Sequence, residues 1–107
     1  MLHQKDYASA KAHLDRAIAL RPEQGNYYYN RANILKEQKQ FREAVEDYGR
    51  AIAFTPDMAA AYVNRGDVRF LLRDTENACA DLKKACDLGQ CDRLEKYEEA
   101  GRCRDFF

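Results

Sequence analysis

Residues 39–56 read KQFREAVEDYGRAIAFTP, and the same frame occurs thirty-four residues earlier as KDYASAKAHLDRAIALRP over residues 5–22. Lys5/Lys39, Ala10/Ala44, Arg16/Arg50, Ala17/Ala51, Ile18/Ile52, Ala19/Ala53 and Pro22/Pro56 coincide, far more than two unrelated segments share. The ladder continues downstream through Tyr28/Tyr62, Asn30/Asn64, Arg31/Arg65, Ala44/Ala78, Asp47/Asp81 and Ala51/Ala85. A constant offset of this size marks stacked supersecondary units, each too small to bury its own apolar face.

Within one period the apolar residues recur at helical spacing in two runs, 28–35 and 41–54, separated by the polar stretch 36–40. This predicts helix, short turn, helix. Pro22 and Pro56 mark the end of the second helix of each pair, because proline disfavours helical geometry in the residue before it and is tolerated in the first turn of a new helix. Thr55 is accordingly expected to cap that next helix. Ala32 or Gly66 on the first helix, and Ala44 with Ala51 or Ala78 with Ala85 on the second, let two backbones approach closely. Tyr28, Tyr48, Tyr62 and Leu82 fill the space beside them.

The stretches Tyr28-x2-Arg31-Ala32-x2-Leu35 with Ala44-x3-Tyr48-x2-Ala51-x4-Pro56, and Tyr62-x2-Arg65-Gly66 with Ala78-x3-Leu82-x2-Ala85, resemble the tetratricopeptide repeat. The resemblance implies an all-α fold, a right-handed α-α superhelix running as one domain over 1–107. Residues 5–22 would be the second helix of a partial repeat, and 25–56 and 59–88 two full repeats. Residues 91–104, with Leu94, Tyr97 and Cys103 on one apolar face, are expected to form a helix capping the array. Arg31 and Arg65 depart from the family's usual Leu, Arg69 replaces an aromatic, and Gln90 replaces a third proline, which implies that the array stops there. At the other end Tyr7, Ala10, Leu14 and Ala17 lack their in-repeat partner helix. An upstream helix or another chain is expected on that face.

The 107 residues fit one domain, and 46% hydrophobic with 34% charged residues at a mean hydropathy of -0.76 fit neither a disordered chain nor a membrane span. Eighteen Lys+Arg balance eighteen Asp+Glu, so no net field draws the chain onto nucleic acid or a membrane surface. Residues 1–10 lack the apolar stretch of a secretory signal, which favours the cytoplasm. Oxidised cysteines would favour a periplasmic or secreted location instead. Catalysis finds no support: Ser9 is the only serine, His3 and His13 are the only histidines, and no Gly-rich phosphate loop or nucleophile motif occurs. No enzyme activity and no cofactor are expected.

All four cysteines follow Ala78, at Cys79, Cys86, Cys91 and Cys103. Their spacing does not reproduce the paired hooks of structural zinc sites, although Cys86-x4-Cys91 falls at the loose edge, so a cysteine-based metal or redox site is the weakest reading. In the repeat register Cys86 takes the column of Ile18 and Ile52, and Cys79 that of Val45, which makes both small core residues and reduced thiols the default. Cys91 and Cys103 stand at opposite ends of the expected cap, too far apart to bridge each other. Cross-helix pairs such as Cys86 with Cys91 or Cys79 with Cys103 require an oxidising compartment. The run Ala85-Cys86-Asp87-Leu88 followed by Cys91 is similar to the cysteine-bridged Sel1-like repeats of some secreted bacterial proteins.

What the repeat resemblance implies for function is a groove, lined by the first helix of each pair, that binds an extended peptide or a partner helix. The register places Asn26, Tyr29, Asn30, Asn33, Lys36 and Glu37 on it from one repeat, and Val63, Asn64, Asp67, Phe70 and Leu71 from the next. Asn30 and Asn64 matter most, since a side-chain amide offers a bound backbone both donor and acceptor. Tyr29, Val63 and Phe70 would form apolar pockets. The bland alternative is that the asparagines bond neighbouring helices. Family members that clamp a C-terminal carboxylate use lysines where this chain has Tyr29 and Val63, and Asp67 adds negative charge, which disfavours that subclass. A rival from the structural class is self-assembly into a homo-oligomer through the uncovered first helix.

Overall fold

The computed structural model describes residues 4–103, with side chains from Asp6 onward. Six helices make up the ordered elements: α1 (Gln4–Leu20), α2 (Gly25–Glu37), α3 (Phe41–Phe54), α4 (Ala59–Leu71), α5 (Thr75–Asp87) and α6 (Asp92–Glu99). No strand occurs among the described residues. The chain divides into two compact units, Met1–Pro56 and Asp57–Phe107.

In the first unit α2 packs against α3, and α1 packs against α2. The hairpin closes where small side chains meet large ones: Ala32, Ala44, Tyr48 and Ala51 have no exposed surface, and Tyr28 and Leu35 are buried beside them. Tyr28 stacks on Phe54 with ring centroids 5.7 Å apart, and its hydroxyl donates to the Pro22 carbonyl at 2.8 Å, fastening the loop before α2. In the same columns one period earlier, Ala10, Leu14 and Ala17 of α1 are only half-buried, as is Tyr7.

The second unit repeats the plan with α4 against α5. Here Gly66 stands in the alanine column, where space is tight: a Cβ at that position would lie 3.1 Å from Leu82 Cγ and 3.2 Å from the Ala78 carbonyl oxygen. Ala61, Val68, Ala78, Cys79, Leu82 and Ala85 are fully buried.

Helices α2, α4, α5 and α6 end alike. The residue after the C-cap turns left-handed at Lys39 (φ 62°), Arg73 (φ 63°), Gly89 (φ 102°) and Gly101 (φ 77°). The next amide then reaches back to a carbonyl five residues earlier, as in Gln40 N to Leu35 O at 2.8 Å and Asp74 N to Arg69 O at 2.8 Å. Glycine enters this geometry freely, whereas Lys39 and Arg73 do so against a steric cost of about 1–2 kcal/mol.

Two expectations about boundaries need correction. Thr55 does not start a helix; it is the C-cap residue of α3, its side chain lies against Gly25, and α4 begins only after Met58. Pro56 with Asp57 makes the intervening turn rather than the first turn of α4. The capping helix is also shorter than the 91–104 anticipated, because α6 stops at Glu99 and the left-handed Gly101 reverses the chain. That reversal returns Cys103 to α5. His3 and Arg104, the last residue of the expected cap, lie outside the described residues.

The cysteines are not reduced. Cys79 bridges Cys103, with Cα atoms 5.4 Å apart, and Cys86 bridges Cys91, with Cα atoms 4.0 Å apart. No cysteine remains free. The register argument for core packing holds for Cys79, which is fully buried, but packing and bridging are compatible. The obstacle seen between Cys91 and Cys103 vanishes because each pairs with α5 rather than with the other.

Candidate functional site

One side of α2 carries Asn26, Tyr29, Asn30, Asn33, Lys36 and Glu37 at the three- and four-residue steps that align side chains along a helix. Asn26, Asn30 and Glu37 are exposed, and Tyr29, Asn33 and Lys36 half-buried. Asn33 is engaged by its own hairpin: it accepts a short hydrogen bond from the Tyr48 hydroxyl of α3. Tyr29 leans on the same Tyr48 ring, centroids 6.0 Å apart and tilted by 58°. Asn30 therefore faces solvent between two residues that α3 holds in place.

On α4 the corresponding residues part company. Val63 and Asn64 are half-buried, and Leu71 is 62% exposed. Phe70 is core, not groove: it is 7% exposed, stacks on Tyr97 of α6 at 4.1 Å and has the Arg102 guanidinium 5.0 Å from its ring centroid. Asp67 is likewise occupied, by an ion pair with Arg93 and by the Tyr97 hydroxyl, which donates to it at 3.3 Å. Burial, and then the nearby Asp67 charge, raises the Tyr97 phenol above the ordinary tyrosine value. The expectation of an apolar pocket at Phe70 is thus overturned, because α6 covers this end of the face.

The most developed polar cluster escaped the sequence reading. Arg31 of α2 grips Asp47 of α3 through both fork nitrogens, Nε at 2.6 Å and Nη2 at 2.9 Å, while Arg50 adds a bond of 2.7 Å. The remaining guanidinium nitrogen of Arg31 reaches Asp15 of α1 at 3.0 Å. One period later Arg65 holds Asp81 at 2.9 and 2.7 Å, and Arg69 supplies the second cation at 2.8 Å. Asp47 and Asp81 are 1% and 4% exposed. The Asp47 hydrogen bonds are the main cause raising the Arg31 pKa further above its usual range, with Asp15 adding and burial opposing. The signal was available: Arg31/Arg65 and Asp47/Asp81 both recur at the period, sixteen residues apart in each repeat. Arginine in the family's leucine column is the partner of a buried aspartate.

That cluster does not read as a ligand site. The cavity between α1, α2 and α3 is lined by Lys11, Glu43, Glu46 and Arg50 around the Arg31–Asp47 pair, so its charges already face opposite charges. Among the described residues no group of three or more His, Cys, Asp and Glu is placed to hold a metal ion, and disulfide sulfurs offer no thiolate, so the cysteine metal site is not built here. His13 is exposed. No helix of the described residues is long and apolar enough to cross a membrane.

Helical hairpins repeating every thirty-four residues, closed by alanine and glycine columns and with a prolyl turn after Phe54, define a helical repeat protein. Family profiles agree along most of the chain: residues 2–52 and 59–88 each match one described as tetratricopeptide repeat, and residues 32–73 one described as TPR repeat. The chain belongs to the tetratricopeptide repeat family. No curated protein sequence matches it. Among solved structures it is similar to the Arabidopsis OM64 TPR domain, with 29% identity, a TM-score of 0.84, and coverage of 96% of this chain and 84% of that one. It is also similar to the first TPR of Spaghetti (RPAP3) bound to the HSP90 peptide SRMEEVD, with 26% identity, a TM-score of 0.81 and coverage of 91% and 81%. The TPR2B domain of yeast Sti1, in complex with pHsp70, shares the fold at 22% identity, a TM-score of 0.76 and coverage of 96% and 81%.

Proposed function

We propose that the chain is a non-catalytic interaction module that takes an extended peptide or a partner helix on the first helix of its repeats, α2 in one unit and α4 in the other. The observation that carries this reading is the pair Asn30 and Asn64, which occupy one column of the repeat with surface open to solvent, exposed and half-buried respectively. An amide side chain can bond a ligand's backbone as donor and acceptor together, so it recognises an extended chain with little demand on sequence. Similar repeat domains solved with bound HSP90 or Hsp70 partners support the class of ligand. The side chains beside the asparagines favour a different peptide from an acidic tail: Tyr29 and Val63 stand in the columns that clamp carboxylates with lysine, and Asp67 is already paired with Arg93. An uncharged segment with aromatic or aliphatic side chains for Tyr29, Val63 and Leu71 is the expected ligand.

The test is Asn30→Ala combined with Asn64→Ala, assayed by calorimetric titration with a peptide recovered by pull-down on the wild-type domain. Binding weaker by tenfold or more with an unchanged circular dichroism spectrum is expected; equal affinity counts against the groove. The second reading, self-assembly through α1, is favoured by the half-buried Ala10, Leu14 and Ala17, whose counterparts Ala44, Tyr48 and Ala51 are fully covered in α3. Light scattering across a concentration series separates the two, since a constant monomer mass excludes obligatory assembly.

A further inference from the structure

Both ends of α6 are fastened to one helix. Cys91 at its N-terminal edge is bonded to Cys86, and Cys103 beyond its C-terminal turn is bonded to Cys79, with Cys79 and Cys86 both on α5. The helix between those bonds has little of its own to hold it. It is eight residues long, well below the length at which an isolated helix persists in water, and all of its residues but Leu94 and Tyr97 are charged. What it covers is apolar: Leu94 and Tyr97 close over Phe70, Leu82 and Cys79. The two bonds are also unequal in access, since Cys79 and Cys103 have no exposed surface whereas Cys86 and Cys91 are half-buried.

We propose that α6 is a redox-held latch over the inner face of α4, opened in a set order by a dithiol reductant. A thiolate of the reductant attacks the accessible Cys86–Cys91 bond, forming a mixed disulfide and expelling one cysteine as thiolate. The reductant's second thiol then displaces the other cysteine and closes its own disulfide, so two electrons and two protons pass to Cys86 and Cys91. With its N-terminal end loose, α6 shifts enough to admit the same exchange at Cys79–Cys103. Once both bonds are open α6 leaves, breaking the Asp67–Arg93 pair and baring Phe70. That the bared face then alters peptide binding rests on the groove reading given above; the latch itself does not.

The experiment uses the full oxidised chain, stepped concentrations of dithiothreitol, alkylation with mass analysis, and amide hydrogen exchange. Cys86 and Cys91 are expected to label at least tenfold faster than Cys79 and Cys103. Exchange across α6 should rise tenfold or more only after the second pair labels, while α2 and α3 keep their protection. Cys86→Ser with Cys91→Ser should bring labelling of the remaining pair up to the rate of the outer bond. Simultaneous or reversed labelling, unchanged protection of α6 in the fully reduced chain, or loss of protection in α2 and α3 together with α6 would each overturn the proposal. None of these readouts involves a peptide, so failure of the groove leaves the result intact, and the converse also holds.

Discussion

Removing the carboxylate of Asp47 would leave the Arg31 guanidinium, 20% exposed, with only the more exposed Asp15 opposite it, and leave Arg50 without its closest acceptor. Breaking one side of a buried pair costs about 3–5 kcal/mol, whereas replacing both sides by apolar groups is often neutral. Asp47→Ala should therefore lower stability by about 3 kcal/mol in urea unfolding, and Arg31→Leu with Asp47→Ala should recover most of that loss. A double change as costly as the single one would show that the pair matters only for its shape. Tyr97 carries a second residue-scale prediction. Its folded pKa is raised, so the neutral phenol contributes stability that is present below the ordinary tyrosine value and lost as pH rises through the folded one. Ultraviolet titration should show one tyrosine ionising late, and Tyr97→Phe should abolish that step.

At the scale of elements, the turns after α2 and α4 are built alike, with a bulky residue left-handed in each. Lys39→Gly and Arg73→Gly remove the steric cost but add unfolded-chain entropy, for a net gain of about 0.5–1 kcal/mol each. Thermal melting should shift upward additively, and a downward shift would mean that the side chains hold contacts worth more than the strain. Legibility of the fold also divides at this scale. The hairpins were readable because alanine columns and apolar spacing repeat, and packing fills those columns with Ala32, Ala44, Ala51, Gly66, Ala78 and Ala85. Thr55 misled because a hydroxyl before proline resembles a cap, while Asp57 and Met58 postpone the next helix. The end of α6 was hidden because Leu94, Tyr97 and Cys103 share helical spacing, yet Gly101 ends the helix before the last of them. Phe70 and Asp67 were assigned to an open surface by register alone, which cannot tell a repeat followed by another groove helix from one followed by a cover.

Over the whole molecule the covalent links are one-sided: both lie in the unit Asp57–Phe107, and Met1–Pro56 has none. Chain-entropy arguments assign about 3–4 kcal/mol to the longer loop and about 2 kcal/mol to the shorter. Urea unfolding of oxidised and reduced chain should therefore differ by several kcal/mol in the second unit and little in the first, followed separately by exchange in α5 and in α3. Equal losses in both units would mean that they unfold as one.

The left-handed turn at Gly101 gives this asymmetry a practical reading. By folding the chain back so that Cys103 is tied to Cys79 of α5, it closes a covalent loop that carries α6 within it. Under limited digestion of the oxidised chain, the last fragment to survive should be the one that carries the sulfur bonds.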